Sequence, residues 1–194
     1  MYRIDKIYNN ISKVINRYDN ILLLRDKNII QWIYGDLSFL HNKIEENRWG
    51  INIINKNGFS INTCWTHIIG EQLCKEIYIL QDNKIRIPRR LCKYKPDIEV
   101  DNKIIEVKTQ TYYNKGSIAE KVLGVPFKYI DIPLIYGKEL EIICVGGIEK
   151  MSKEKYGNLE GIMMNDRRRE LIEIYKKMGI RYVGLSDIID KLFI

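Results

Sequence analysis

The sequence predicts an α/β fold, a central mixed β-sheet flanked by helices, with a mainly helical elaboration ahead of it. Three observations carry this. Apolar residues recur at helical spacing over Cys64–Leu80 and again over Asp166–Met178. Between and after them stand short apolar stretches of strand length: the two arms flanking Asp101-Asn102, then Leu140–Val145, then Arg181–Leu185. The resulting order is helix, two or three strands, helix, strand, helix, strand, which suits a sheet covered by helices. At 194 residues the chain makes one compact domain, read as an elaboration over 1–63 and a core over 64–194.

In the elaboration, Ile4, Ile7, Tyr8, Ile11, Val14, Ile15 and Tyr18 follow helical spacing. Ile21–Leu24 and Ile29–Ile33 continue the apolar content, and Asp36–Ile44 reads as a further helix. Trp49–Ile54 reads as extended, Asn57-Gly58 as a turn and Phe59–Thr63 as the returning strand. In the first core helix, Ile69, Leu73, Ile77 and Leu80 form the apolar stripe. Glu71 follows Gly70 on a flank of that stripe, and Glu76 lies nearer to it, beside Leu73 and Leu80.

The hairpin that follows is the most informative segment. Asp101-Asn102 is a two-residue turn, which pairs Val100 with Lys103, Glu99 with Ile104 and Ile98 with Ile105. Asp97 then lies opposite Glu106, and Lys108, two residues on, shares their face. Ile98, Val100, Ile105 and Val107 fall on the other face as core. Like charges opposed across a ladder destabilise it, and a divalent cation between them removes the penalty. Carboxylate oxygens of this kind suit Mg²⁺.

Downstream, Gly116–Lys121 starts a short helix, and Leu140–Val145 is a buried strand ended by Gly146-Gly147. Asp166–Met178 is an amphipathic helix with Leu171, Ile174, Tyr175 and Met178 inside and Gly179 as its stop. Arg181–Leu185 is the final strand, before a short helix around Ile188–Leu192.

A hydrophobic fraction of 45% supports a proper core and excludes disorder. No apolar run approaches the roughly 20 residues of a membrane span, and Met1–Lys6 has no signal-peptide character. The expected location is cytoplasmic, with no membrane partner. Cys64, Cys74, Cys92 and Cys144 form no Cys-x-x-Cys pair, so reduced thiols are expected rather than structural zinc. His41 and His67 have no ligand partner at a metal-binding spacing, which disfavours an HNH-type nuclease. No phosphate loop is present, so no nucleotide cofactor is expected.

The net charge of +7 and pI of about 9.1 favour a polyanionic partner. Arg86, Arg89, Arg90, Lys93 and Lys95 lead into the hairpin, and Lys115, Lys121 and Lys128 follow it, with Tyr112, Tyr113 and Tyr129 interleaved. Basic residues on both sides of a hydrolytic centre form a phosphate track. Arg167-Arg168-Arg169 reads instead as a solvated helix face.

The element order, with Glu71, Pro96-Asp97 and Glu106-x-Lys108, resembles the PD-(D/E)xK nuclease superfamily, most closely its type II restriction endonucleases. The motif-bearing region runs from about Gly70 to Gln110. The segment Lys115–Gly124, with Phe127-Lys128-Tyr129, is similar to restriction-enzyme-like sequences, and residues 1–63 carry none of the family pattern. The resemblance implies a restriction-endonuclease-like core. It further implies Mg²⁺, one ion or two, held by Asp97 and Glu106 with Glu71 as the added helix acid, Glu76 being the other candidate, and Mn²⁺ as a substitute. Lys108 would position or activate the attacking water, and Gln110 would serve the same site.

The activity implied is sequence-specific hydrolysis of double-stranded DNA to 5′-phosphate and 3′-hydroxyl ends by a homodimer. The phosphate track would then be Arg89, Arg90, Lys93, Lys95, Lys115, Lys121 and Lys128 with Tyr112 and Tyr113. Residues 1–63 would serve dimerisation or DNA reading, or simply cover the sheet. The competing readings are a structure-selective nuclease such as a Holliday junction resolvase, and a non-catalytic DNA-binding protein on the same fold.

Overall fold

The computed structural model describes residues 2–114 and 117–194. Among the described residues, four α-helices precede the sheet: α1 (Tyr2–Ile15), α2 (Lys27–Ile33), α3 (Lys43–Lys56) and α4 (Trp65–Leu80). The hairpin β1 (Ile98–Glu99) and β2 (Lys103–Gln110) follows. A 3₁₀ segment, Ser117–Gly124, with α5 (Val125–Lys128) and α6 (Ile132–Tyr136) then crosses over to β3 (Glu139–Gly146). The second crossover runs through α7 (Gly147–Met151), a π turn (Ser152–Tyr156) and α8 (Asp166–Lys177) to β4 (Ile180–Gly184), and α9 (Leu185–Phe193) ends the chain.

The sheet has the order β1-β2-β3-β4, with β1 antiparallel to β2 and the other pairs parallel. An antiparallel bridge from Arg86 to Glu99 extends it beyond β1. The fold is thus α/β, a four-stranded mixed sheet flanked by helices.

β2 is buried on both faces, as a central strand with helices over both sides of the sheet should be. Ile105 and Val107 point into a core shared with Ile98, Val100, Ile143 and Val145, and covered by α1, α2, α4 and α9. Ile104 points the other way, with Leu140, Ile142 and Cys144, under α5 and α6. α4 seats its Trp65, Ile69, Leu73 and Ile77 stripe on the first face. The approach is close at Gly70, where a Cβ would stand 1.8 Å from Thr109 Oγ1. Only glycine fits there, and that contact sets where the neighbouring Glu71 sits.

Two buried glutamates fasten the N-terminal helices to this frame. Glu76 accepts the backbone N–H groups of Leu22 (3.0 Å), Leu23 (2.9 Å) and Leu24 (2.9 Å), and the Gln72 amide. Glu46 accepts Trp32 Nε1 (2.8 Å) and the N–H groups of Tyr112 (2.9 Å) and Tyr113 (3.2 Å). Each carboxylate thereby satisfies backbone donors that no ladder reaches.

Glu99 is a third buried carboxylate, 1% exposed. It receives Lys138 Nζ at 2.8 Å and Arg89 Nε at 3.0 Å. Burial alone would raise its pKa, but the bonds from Lys138 and Arg89 outweigh it and hold the carboxyl at about 2, against 4.5 ordinarily. A depressed carboxylate stabilises the fold fully above its unfolded pKa and loses that contribution as pH falls through the folded one. At 1.36 kcal/mol per pKa unit the linkage is roughly 3 kcal/mol. Glu99→Gln is therefore expected to be less stable by about that amount at pH 7. Its urea-unfolding stability should also fall less steeply than the wild type's between about pH 4.5 and 2. Equal pH slopes for the two proteins would refute the assignment.

The fold departs from the sequence expectation at four places. Trp49–Ile54 is not extended but lies within α3, which starts at Asn42, whose side chain accepts the N–H groups of Ile44 and Glu45. Trp49, Ile51 and Ile53 alternate like a strand, yet Ile51 is 41% exposed while Ile53 and Ile54 are buried, the pattern of one helical face. Asn57-Gly58 stops that helix instead of joining two strands, with Gly58 at φ +70°. Asp36–Asn42 is turn structure, not helix. In α8, which has the expected bounds to within a residue, Leu171, Ile174 and Met178 stay 48, 53 and 41% exposed, so that stripe is not inside.

Candidate active site

The hairpin has the expected register, Ile98 with Ile105 and Glu99 with Ile104, and Val100 N–H donates to Lys103 O at 3.0 Å across the turn. The ladder changes at Asp97. Its N–H donates to Ile105 O (3.1 Å), so Asp97 is not squarely opposite Glu106. Its carboxylate Oδ2 accepts the Val107 N–H at 2.7 Å and stands in for the next backbone acceptor. One oxygen of Asp97 is thereby fixed to β2.

Glu106 shares a strand face with Ile104 and is 4% exposed. Its Oε1 receives the Lys108 ammonium. Its Oε2 is buried and has no hydrogen-bond partner among the described residues. Burial raises the Glu106 pKa, the Asp97 charge raises it further, and Lys108 and Lys128 pull it down. Tyr129, at the end of α5, feels the Glu106 charge, and its hydroxyl pKa is raised first by burial and then by that carboxylate. Lys128 Nζ lies 3.1 Å from the Tyr129 hydroxyl and 4.6 Å from its ring centroid. Lys108, Lys128 and Tyr129 thus surround Glu106 on the α5 side.

Glu71 approaches Asp97 from α4, on the other side of the sheet. Together with His67 it forms a cluster whose ligand atoms all lie within 4.8 Å of one another. His67 Nδ1 is 3.1 Å from Glu71 Oε1, and Lys75 Nζ is 3.6 Å from Glu71 Oε2. A cleft of about 340 Å³, lined by Ser60, Asn62, Thr63, Gln72 and Lys75, opens beside them. Asp97 is therefore the residue near both groups, Glu71 with His67 on one side and Glu106 with Lys108 on the other. Glu76 is fully occupied by the Leu22–Leu24 backbone, so of the two helix acids only Glu71 faces Asp97. Gln110 is buried, donates to Asn114 O at 3.1 Å, and leaves its Oε1 without a partner among the described residues.

The residues expected to touch phosphate fall into three groups. Arg90, Lys95 and Lys121 are exposed and make no ion pair among the described residues, and Lys93 lies over the Tyr94 ring at 5.3 Å. Arg89 is bound to Glu99 and lies over the Tyr136 ring. Tyr112 and Tyr113 turn inward, their hydroxyls donating to Ile33 O (3.1 Å) and Leu40 O (2.7 Å). Lys115 lies outside the described residues.

Comparison with protein-family models, curated proteins and solved structures gives no match for this chain. What the residues can do must be argued from their chemistry. Asp97, Glu106 and Glu71 are hard oxygen donors, the set that Mg²⁺ takes. The unpartnered, buried Glu106 Oε2 beside a second carboxylate is an arrangement that a cation relieves, so the residues fit the ion.

His67 is the member that sequence reading passed over. Its spacing to Glu71, four residues along one helix, places both on one face, but a search for histidine pairs does not find it. No helix among the described residues is long and apolar enough to cross a membrane.

Proposed function

We propose that the chain is a Mg²⁺-dependent, sequence-specific double-stranded DNA endonuclease of the type II restriction kind, built on a PD-(D/E)xK core. The observation that carries this reading is that Asp97 stands between two groups, Glu71 on α4 and the Glu106–Lys108 pair on β2. The element order supports it: a helix, a bridge at Arg86, a hairpin, then strands parallel to β2 joined through helical crossovers.

Asp97, Glu106 and Glu71 would hold the metal. A bound cation supplies charge neutralisation at phosphorus and stabilises the leaving 3′ oxygen. The chain does the rest. Lys108, positioned by Glu106, would orient the attacking water and add positive charge at the scissile phosphate. Lys128, beside the Tyr129 hydroxyl, would meet a second phosphate oxygen. Arg90, Lys93, Lys95 and Lys121 supply sequence-independent attraction. The products are 5′-phosphate and 3′-hydroxyl ends, and two copies acting on a palindromic site complete the double-strand cut.

The test is to incubate the protein with phage DNA and Mg²⁺, with an EDTA control, and to sequence the fragment ends. Discrete metal-dependent fragments with a common end sequence support the reading. Cleavage confined to branched DNA, or binding without cleavage, sinks it in favour of a junction-selective nuclease or a non-catalytic binder.

A further inference from the structure

The carboxylate pair does not use His67, yet His67 belongs to the same constellation. We propose that His67, Glu71 and Asp97 form a mixed nitrogen–oxygen cation site. It shares Asp97 with the Asp97–Glu106 pair and takes a first-row transition cation in preference to Mg²⁺. The inference shares Asp97 and Glu71 with the metal centre proposed above, and it stands or falls on metal binding through the His67 nitrogen.

Three features converge on it. The three donors lie within 4.8 Å of one another, close enough for a single ion to reach all of them after small side-chain rotations. His67 and Glu71 come from one rigid helix, and Asp97 is fixed by the Val107 N–H, so two elements hold the ligands in place before any ion arrives. Glu106, 4% exposed, feels the Asp97 charge and keeps its Oε2 without a hydrogen-bond partner among the described residues. A cation on Asp97 answers that charge as well as the charge of Glu71.

The donor set decides the class of ion. Mg²⁺ demands oxygen and dehydrates reluctantly, whereas imidazole nitrogen suits first-row transition metals. Two carboxylates and one imidazole leave the remaining coordination positions to water. The 52% exposure of the His67 side chain and the cleft beside it leave room for that water. A site with open positions can also accept a phosphate oxygen, which would set a second ion against the substrate of the proposed reaction.

Mn²⁺ alone, added to the full-length protein without DNA, is the probe. Pulsed EPR of bound Mn²⁺ detects nitrogen-14 coupling when an imidazole is a ligand. The chain has only two histidines, so the source can be assigned. The expected result is nitrogen coupling in the wild type, unchanged in His41→Gln and absent in His67→Gln. Titration should give one Mn²⁺ fewer per His67→Gln chain than per wild-type chain, the lost site weakening on the order of tenfold or more.

His67 is exposed, so the variant should keep its circular dichroism spectrum and melting profile. Bound Mn²⁺ without nitrogen coupling in the wild type, coupling that survives His67→Gln, or no Mn²⁺ binding would each overturn the proposal. The two readings separate cleanly. Nitrogen-ligated Mn²⁺ in a protein that cuts no DNA keeps this inference and removes the nuclease. Metal-dependent cutting with oxygen-only ligation does the reverse.

Discussion

Glu106→Gln is expected to lower metal-dependent DNA cleavage by on the order of 10³-fold while leaving DNA affinity within a few-fold. The amide keeps the shape of the carboxylate but removes the charge that would hold the cation and keep Lys108 in place. On the proposed reading, binding would survive because Arg90, Lys93, Lys95 and Lys121, which would carry the phosphate attraction, are untouched. Stability provides an internal control. Glu106 is buried, and its pKa is raised first by that burial and then by Asp97. A carboxyl with a raised folded pKa is held ionised at neutral pH at a cost to the fold. The neutral isostere should therefore unfold at the same urea concentration as the wild type or a higher one. Lost cleavage could not then be blamed on lost structure. Wild-type cleavage rates in Glu106→Gln would show that the site lies elsewhere.

The second large effect is structural. Glu46→Ala is expected to destabilise the protein by roughly 4 kcal/mol. It strands the Trp32 indole N–H and the N–H groups of Tyr112 and Tyr113, all inside the structure, and leaves a void where the carboxylate stood. At this chain length that corresponds to a fall of about 10 °C in Tm. Glu46→Gln should recover part of the loss, since an amide oxygen still accepts. Thermal melting of the two variants beside the wild type checks this, and a loss below about 1 kcal/mol for the alanine variant would contradict it. The partners of Glu46 lie just beyond Gln110, so the same variant should loosen the end of β2.

Much of the core could be read from the chain because local rules and long-range packing agree there. Asp101-Asn102 fixes the hairpin register, since a two-residue turn leaves one pairing open. α4 and β3 announce themselves by period and length. The misreadings have definite causes. Trp49, Ile51 and Ile53 alternate, but nothing local tells an alternating strand from a helix that leaves one isoleucine exposed. Leu171, Ile174 and Met178 share a helix face, yet periodicity says which residues lie together and not whether anything covers them.

The site was legible where its members lie on one hairpin, as Glu106 and Lys108 do. It was not legible where they come from distant elements. The approach of His67 to Asp97 depends on how α4 packs over β2, and the offset at Asp97 depends on its side chain replacing a ladder bond. Tyr112 and Tyr113 have the composition of a nucleic-acid surface, but where a tyrosine hydroxyl goes is a tertiary fact.

The bond from Val107 N–H to the Asp97 carboxylate makes the proposed site and the sheet a single mechanical unit. β1 pairs through only two residues, and beyond them Asp97 is held by its own backbone and by this one side-chain contact. Fraying of that short strand releases the ligand while the two apolar layers remain intact. A short, two-residue strand thus carries the central residue of the proposed site. On warming, the Val107 amide should exchange with solvent deuterium well before the amides of β3, and any chemistry centred on Asp97 should fade at that lower temperature instead of at global melting.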